Sequence, residues 1–269
     1  MSEIENLSVT ASDGATLGYF RRGQGPGLVI THGSIATKEQ WLLASESLAE
    51  HFTVYVYDRR GRGDTGDSEH YSINREVADI GTMLAVAGSG SHLLGHSYGA
   101  LCSLEYSLQH GLDGGTHIAY EPPLAVQGTV AGERLAGYVE LVEKGDLDGA
   151  LAYALVNFVR VPSEAIPSIR ETPIWDSSVP LTPTWVRELR EIDALGMDIS
   201  RYAPITDPTH LIAGTATSSF LAQSVHDLAD TIARATSTDI EGADHFAHLA
   251  NPSGFSRVVI DAITAHAES

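Results

Sequence analysis

The stretch Ser91-His92-Leu93-Leu94-Gly95-His96-Ser97-Tyr98-Gly99-Ala100-Leu101 joins a short apolar run, a G-x-S-x-G pentapeptide and the start of a helical pattern. Ser91 to Leu94 reads as a buried strand. Ala100, Leu101, Leu104 and Leu108 then recur at helical spacing until Gly111 ends the segment. Strand, tight turn and helix form the context in which such a pentapeptide presents an exposed serine hydroxyl. The two glycines have a steric role: a strained serine needs neighbours without Cβ atoms, so that strand and helix can approach each other.

Working outward, apolar and turn segments alternate on both sides of this turn. Thr16 to Phe20 and Leu28 to Thr31 are strand candidates, and Gly23, Gly25, Pro26 and Gly27 between them predict a hairpin-like turn. A His32-Gly33-Ser34 loop follows. Trp41, Leu42, Leu48 and Ala49 suggest a helix, Phe52 to Tyr57 a strand, and Ile73, Val77, Ile80 and Leu84 a helix at 3.6 spacing. Beyond the serine turn, His117 to Tyr120, His210 to Ala213 and Thr236 to Ile240 read as strands, and Phe220 to Ala235 and Phe255 to His266 as helices. Repeated βα units imply an α/β protein with a mostly parallel central sheet flanked by helices.

Residues 124–203 break that rhythm with about 80 positions of helical pattern only. Leu135 to Val142, Leu147 to Val159, a proline-punctuated piece around Ile166 to Trp175, and Trp185 to Leu195 are the segments, with Thr182 as N-cap of the last and Pro183 as its first residue. The expected organisation is one domain, residues 1–123 and 204–269, with a helical cap inserted at 124–203. Nothing in the 269 residues suggests repeats or low complexity.

Composition narrows the function classes. A formal charge of −19, from 35 acidic and 16 basic residues, disfavours binding to a phosphate backbone, so no nucleic-acid partner is expected. No run of about 18 apolar residues and no basic-then-apolar start are present, which predicts a soluble cytoplasmic protein without a membrane partner. Cys102 is the one cysteine, so no intrachain disulfide can form; it is read as a small packing residue.

His32-Gly33, Asp58-Arg59-Arg60-Gly61-Arg62-Gly63, the Gly95 to Gly99 turn, the helical insertion and Gly242-Ala243-Asp244-His245, in this order, resemble the α/β-hydrolase superfamily over nearly the whole chain. The resemblance implies the α/β-hydrolase fold, a nucleophile at Ser97 and a base at His245. That family usually carries an aspartate three residues after a glycine behind the seventh strand, but this chain reads Gly214-Thr215-Ala216-Thr217 there, with no carboxylate. Members of the zearalenone-lactonase type and certain haloalkane dehalogenases place the acid after the sixth strand, where Glu121 stands in Tyr120-Glu121-Pro122-Pro123. Glu121 is therefore the candidate acid. Its alternative role is pairing with an arginine, and Asp244 and Asp207 are weaker candidates for the acid.

A serine hydroxyl is a poor nucleophile at neutral pH and needs a base within hydrogen-bond reach, with a third group to hold that base in one tautomer. Ser97, His245 and Glu121 fill those roles in the chain order the fold expects. Charge developing on a carbonyl oxygen would be met by the amides of Tyr98 and Ser34. His32 and His96 are read as structural. Trp175, Trp185, Tyr138, Tyr153 and Phe158 lie in the expected cap, where helical spacing makes packing their default and one or two could line an apolar pocket. The resulting expectation is a cofactor-independent, metal-free hydrolase of a small, uncharged, hydrophobic ester or lactone. A lyase or cyclase that uses His245 as base without acylating Ser97, and a non-catalytic small-ligand receptor, stay open as alternatives. Gly61-Arg62-Gly63-Asp64-Thr65-Gly66 matches a dinucleotide fingerprint by letter, but it lies three residues past its strand with no helix opening on it, which predicts a tight loop. Asp244, His245 and His248 lack the spacing of a zinc site.

Overall fold

The computed structural model describes residues 2–68 and 70–267; Met1, Glu69, Glu268 and Ser269 lie outside the described residues. Eight strands form one sheet: β1 Glu5–Thr10, β2 Thr16–Arg22, β3 Gly27–Thr31, β4 Thr53–Tyr57, β5 His92–His96, β6 His117–Tyr120, β7 Thr209–Gly214 and β8 Ala235–Ile240. Their order is β1-β2-β4-β3-β5-β6-β7-β8, and only β2 runs antiparallel to the others. This is the α/β-hydrolase fold. Two expectations change. Thr16 to Phe20 and Leu28 to Thr31 are not a hairpin, because β4 lies between them: Phe20 pairs with Val56 and Leu28 with Val54. Glu5–Thr10 forms an exposed edge strand that the sequence does not announce.

The helices are α1 Leu42–Leu48, α2 Ile73–Ala87, α3 Tyr98–Gln109, α4 Arg134–Glu143, α5 Leu147–Ala154, α6 Ile166–Arg170, α7 Pro173–Ser178, α8 Thr182–Ala194, α9 Ser219–Thr231, α10 Ala247–Ala250 and α11 Pro252–Ala267. Strand side chains alternate between two cores, as the pleat requires. Leu28 and Ile30 join Trp41, Leu48, Phe255 and Val259 on the α1/α11 face, whereas Val29 and Leu93 join Ile80, Met83, Leu101 and Leu104 on the α2/α3 face. Cys102 is fully buried in that second core, and burial pushes its thiol pKa well up. The inner parallel strands β3 to β7 bury both faces and end on the same side, where the loops carrying chemistry collect.

Between β6 and β7 the chain forms α4 to α8. Tyr138, Trp185 and Leu189 of this interval pack into the same cluster as the α2/α3 face of the sheet, while Leu151, Leu155, Ile166 and Trp175 form a satellite cluster. Two boundaries differ from the sequence reading. The Leu147 to Val159 helix relaxes after Ala154 into a π-type turn, Leu155–Val159, which Arg160 closes in the left-handed region at φ 65°. Thr182 is the first residue of α8, not its cap; Leu181 is the cap and the Thr182 hydroxyl donates back to the Val179 carbonyl at 2.9 Å. Among the described residues no helix is long and apolar enough to cross a membrane.

Candidate active site

Ser97 sits between the end of β5 and the start of α3 with φ 54° and ψ −123°. A non-glycine residue there stores about 1–3 kcal/mol, so the surroundings must hold it. They do: the Ser97 amide donates to the Tyr120 carbonyl at 2.9 Å, and the Ser97 carbonyl accepts from the Ala100 amide at 2.8 Å. A Cβ on Gly95 would lie 2.6 Å from Ala100 Cα, and one on Gly99 would lie 2.2 Å from the Thr31 carbonyl oxygen. Both glycines of the pentapeptide are therefore required by close approach. The Tyr98 amide, in the first turn of α3, has no partner within the helix and belongs to its electropositive end.

Glu121 follows β6, again in the left-handed region at φ 48°, and its side chain is fully buried. Three donors converge on its carboxylate. The Gly214 amide donates to Oε1 at 2.7 Å, the Thr217 hydroxyl to Oε2 at 2.9 Å, and His245 Nδ1 lies 2.6 Å from Oε2. The buried carboxylate draws the imidazole proton to Nδ1 and leaves Nε2 with its lone pair. Among the described residues no arginine takes part. Asp244 accepts the Phe246 amide at 2.9 Å and Asp207 accepts the Leu112 amide at 2.9 Å, so both alternative acids are engaged away from the ring. The backbone of the histidine loop is pinned as well: His96 Nε2 donates to the His245 carbonyl at 3.0 Å, and the Tyr120 hydroxyl donates to the Asp244 carbonyl. His248 is buried, stacked on Trp41 with ring centroids 4.5 Å apart, and burial lowers its pKa to about 3.

Thr217 was not anticipated. It stands three residues after Gly214, and its hydroxyl helps to hold the Glu121 carboxylate. Its signal was available in the sequence as a hydroxyl at an expected carboxylate position.

The His32-Gly33-Ser34 loop is fixed by a buried ionic network that sequence reasoning also missed. His32 Nδ1 donates to the Gly33 carbonyl at 2.9 Å while Nε2 accepts the Arg59 amide at 3.1 Å. Burial, then the Arg59 and Arg62 charges, push His32 well below its ordinary pKa, so the ring is neutral. Arg59 pairs with Glu76 and Glu188 at 2.8 Å each, Arg62 with Glu188 at 2.5 Å, and Arg60 with Asp79 at 2.6 Å and Asp13 at 2.7 Å. Asp58 binds Lys38 at 2.6 Å, and a Cβ on Gly63 would strike its carboxylate. The glycine-rich stretch is thus a tight loop wrapped around buried charges.

Ser97, Ser34 and His245 all line a cavity of about 580 Å³, walled by Leu151, Leu155, Trp175 and Trp185 from the interval between β6 and β7. The same three residues line a smaller recess of about 300 Å³ beside Phe158 and Leu189. Neither is lined by Lys, Arg, Asp or Glu among the described residues. Trp175, Trp185 and Phe158 thus reach these spaces. The Tyr138 hydroxyl instead donates to the Thr182 carbonyl at 2.7 Å, and that of Tyr153 to the Arg134 carbonyl at 3.0 Å.

Residues 28–258 match the Alpha/beta hydrolase family. This chain belongs to that family. Its α/β-hydrolase fold superposes on an alpha/beta hydrolase from Sphaerobacter thermophilus with a TM-score of 0.87 and 29% identity, covering 95% of this chain and 99% of the other. It also superposes on the enol-lactonase from Burkholderia xenovorans with a TM-score of 0.74 and 22% identity, covering 96% and 100%, a likeness of fold. N-formylmaleamate deformylase of Pseudomonas putida is 30% identical over 139 residues, 50% of this chain and 52% of the relative. The match thus spans about half the length of that curated relative.

Proposed function

We propose that this α/β-hydrolase family member is a cofactor-independent serine hydrolase that cleaves a small, uncharged ester or lactone through an acyl-enzyme on Ser97. The 2.6 Å contact between His245 Nδ1 and the buried Glu121 carboxylate, in a cavity that Ser97 also lines, carries this reading. The imidazole, fixed with its proton on Nδ1, takes the serine proton at Nε2 as the hydroxyl attacks the carbonyl carbon. The resulting imidazolium is stabilised by Glu121, and the amides of Tyr98 and Ser34 receive the oxyanion. The alcohol leaves with the proton from His245; water then repeats the cycle on the acyl-enzyme and releases the acid.

The apolar walls of the two spaces that Ser97 lines, neither carrying a Lys or Arg, favour a neutral, hydrophobic group beside the serine, since a carboxylate there would lack a partner for its charge; Arg160 lines an adjoining space that His245 shares. Residues 124–203 serve as the cap over the serine in this reading. The experiment is intact mass after incubation with a small fluorophosphonate. One adduct, lost in Ser97→Ala, supports the proposal and leads to a panel of neutral esters and lactones. Absence of an adduct, with the probe shown to enter by competition with a neutral ester analogue, moves the reading to a lyase or cyclase working through His245, or to ligand binding.

A further inference from the structure

Arg59 connects parts of the molecule that the sequence keeps far apart. Its guanidinium is buried, and each nitrogen has its own task. Nε faces Glu76 Oε2 at 3.2 Å, and Nη2 reaches Glu76 Oε1 and Glu188 Oε1, each at 2.8 Å. Nη1 donates to the carbonyls of Gly33 at 3.1 Å and His32 at 3.4 Å. In a planar trans peptide the carbonyl and the following amide point in opposite directions. Anchoring the Gly33 carbonyl on Arg59 therefore aims the Ser34 N–H away from Arg59, and Ser34 lines the cavity while Arg59 does not. The same guanidinium lies 4.7 Å from the centre of the Tyr98 ring, and the Tyr71 hydroxyl joins the two: it gives its one proton to Glu76 Oε1 at 2.9 Å and accepts from Arg59 at 3.3 Å and from the Tyr98 hydroxyl at 3.1 Å. One side chain thus touches both elements whose amides would face the oxyanion.

Glu188 comes to this network from α8, 129 positions beyond Arg59. It is fully buried, and its Oε1 also takes Arg62 Nη2 at 2.5 Å. Burial raises its pKa, but the Arg59 and Arg62 charges, with contributions from Ser34 and the Arg62 hydrogen bond, outweigh burial and leave the carboxyl below its ordinary value. Its second oxygen completes no hydrogen bond among the described residues, although the Ser34 side chain approaches the carboxylate. Without this charge Arg62 would lose the carboxylate it pairs with, and Arg59 would keep Glu76 as its one anionic partner, so the grip of its guanidinium on the Gly33 carbonyl would loosen.

We propose that Glu188 is a positioning residue for the reaction at Ser97: through Arg59 it holds the Gly33–Ser34 peptide in the orientation that presents the Ser34 amide to the oxyanion, so that the seating of α8 completes the catalytic centre. The inference rests on the serine-hydrolase reading above. Its effect should appear in kcat and in the rate of phosphonylation, both of which build charge on an oxygen, and not in ground-state binding.

The test compares full-length wild type, Glu188→Gln, Glu188→Asp and Arg187→Gln, with the active fraction of each titrated by fluorophosphonate mass adduct. Arg187 is the control. It also lies on α8 and ties it to the sheet domain, through Asp67 at 2.8 Å, the Arg60 carbonyl at 3.0 Å and the face of the Tyr71 ring at 4.2 Å, but it makes no contact with the Glu188–Arg59–Gly33 link that the proposal invokes. Removing an oxyanion donor costs about 10² to 10³ in rate, so a tilted one should cost about 10- to 100-fold. Glu188→Gln is expected to lose that factor in kcat and in phosphonylation rate with KM within about threefold, Glu188→Asp to recover part of it, and Arg187→Gln to keep the wild-type kcat. A Glu188→Gln enzyme with a normal phosphonylation rate, a change confined to KM or to the active fraction, or an equal loss in Arg187→Gln would overturn the proposal. If Glu188→Gln does not fold, Glu188→Asp decides by the same readouts. Labelling that persists in Ser97→Ala would instead remove the reading on which the inference stands.

Discussion

Replacing Glu121 by Gln keeps the size of the side chain and changes only what it can accept. The carboxylate takes three donors, Gly214 N–H on Oε1 and both Thr217 O–H and His245 Nδ1–H on Oε2. The amide offers one oxygen and one NH2, so one side must present donor to donor. If the NH2 faces Gly214, a fixed backbone amide is left unsatisfied in a buried site, at about 1–3 kcal/mol. If it faces His245 and Thr217, the threonine hydroxyl rotates and the imidazole moves its proton to Nε2, which costs less. The second arrangement wins, and it puts a proton where the base needs a lone pair. Loss of tautomer control in a serine–histidine–acid system costs about 10⁴ in kcat, or about 5.4 kcal/mol at 1.36 kcal/mol per decade. Stability should fall by only about 1–2 kcal/mol, since packing is kept and one charged acceptor is lost. The assay is kcat on whichever neutral ester proves to be turned over, alongside a urea midpoint. A folded Glu121→Gln protein with kcat within tenfold of wild type would refute the role given to this carboxylate.

Two further outcomes follow from the same geometry. Gly99→Ala places a methyl 2.2 Å from the Thr31 carbonyl oxygen and 2.5 Å from that of His32, both on backbone that cannot swing aside; a loss of about 3 kcal/mol and of fluorophosphonate labelling is expected, and an unchanged melting temperature would contradict the close approach. Acid should also loosen the fold. Burial lowers His117 and His248 to about 3 and His210 to about 4, so all three are neutral when folded and titrate near 6.5 when unfolded. The unfolded chain then binds more protons below pH 6.5, and stability falls by up to about 1.4 kcal/mol per pH unit for each histidine as pH drops toward 4. Urea midpoints at pH 7.5 and 5.5 check this, and an equal or higher midpoint at pH 5.5 would count against it.

The sequence disclosed what is local and left out what depends on distant partners. His117 to Tyr120 was legible as β6 because four buried residues are bounded by turn signals, and the Ser97 turn was legible because close packing leaves room only for glycine at 95 and 99. Edge strand β1 was not: Glu5–Thr10 is almost wholly exposed, so nothing imposes an apolar alternation. Gly23 to Gly27 announced a reversal between β2 and β3 but could not say that β4 would slot between them, since Phe20 finds Val56 across the sheet. The Arg59–Glu188 contact joins residues 129 positions apart, and only the run of arginines after β4 hinted that anions must come to meet them.

In the proposed reading the acid stands behind β6, at Glu121, and the position behind β7 carries a threonine. Strands β6 and β7 are neighbours, with Tyr120 opposite Ile212, so the residue after either strand faces the same histidine loop. A carboxylate moved from one to the other travels one strand spacing, about 4.8 Å. Two features make up that distance here. The left-handed backbone at Glu121 turns the side chain toward β7, and glutamate supplies one more methylene than aspartate. The residues behind β7 satisfy that charge instead of supplying one. Gly214 gives its amide and Thr217 its hydroxyl to the Glu121 carboxylate, so with His245 Nδ1 the buried charge has three donors where an unassisted one would cost several kcal/mol. An aspartate placed at position 217 would put two carboxylates on one imidazole, which the loss of the threonine donor makes worse. Thr217 and Glu121 therefore form one unit, and neither choice is intelligible without the other.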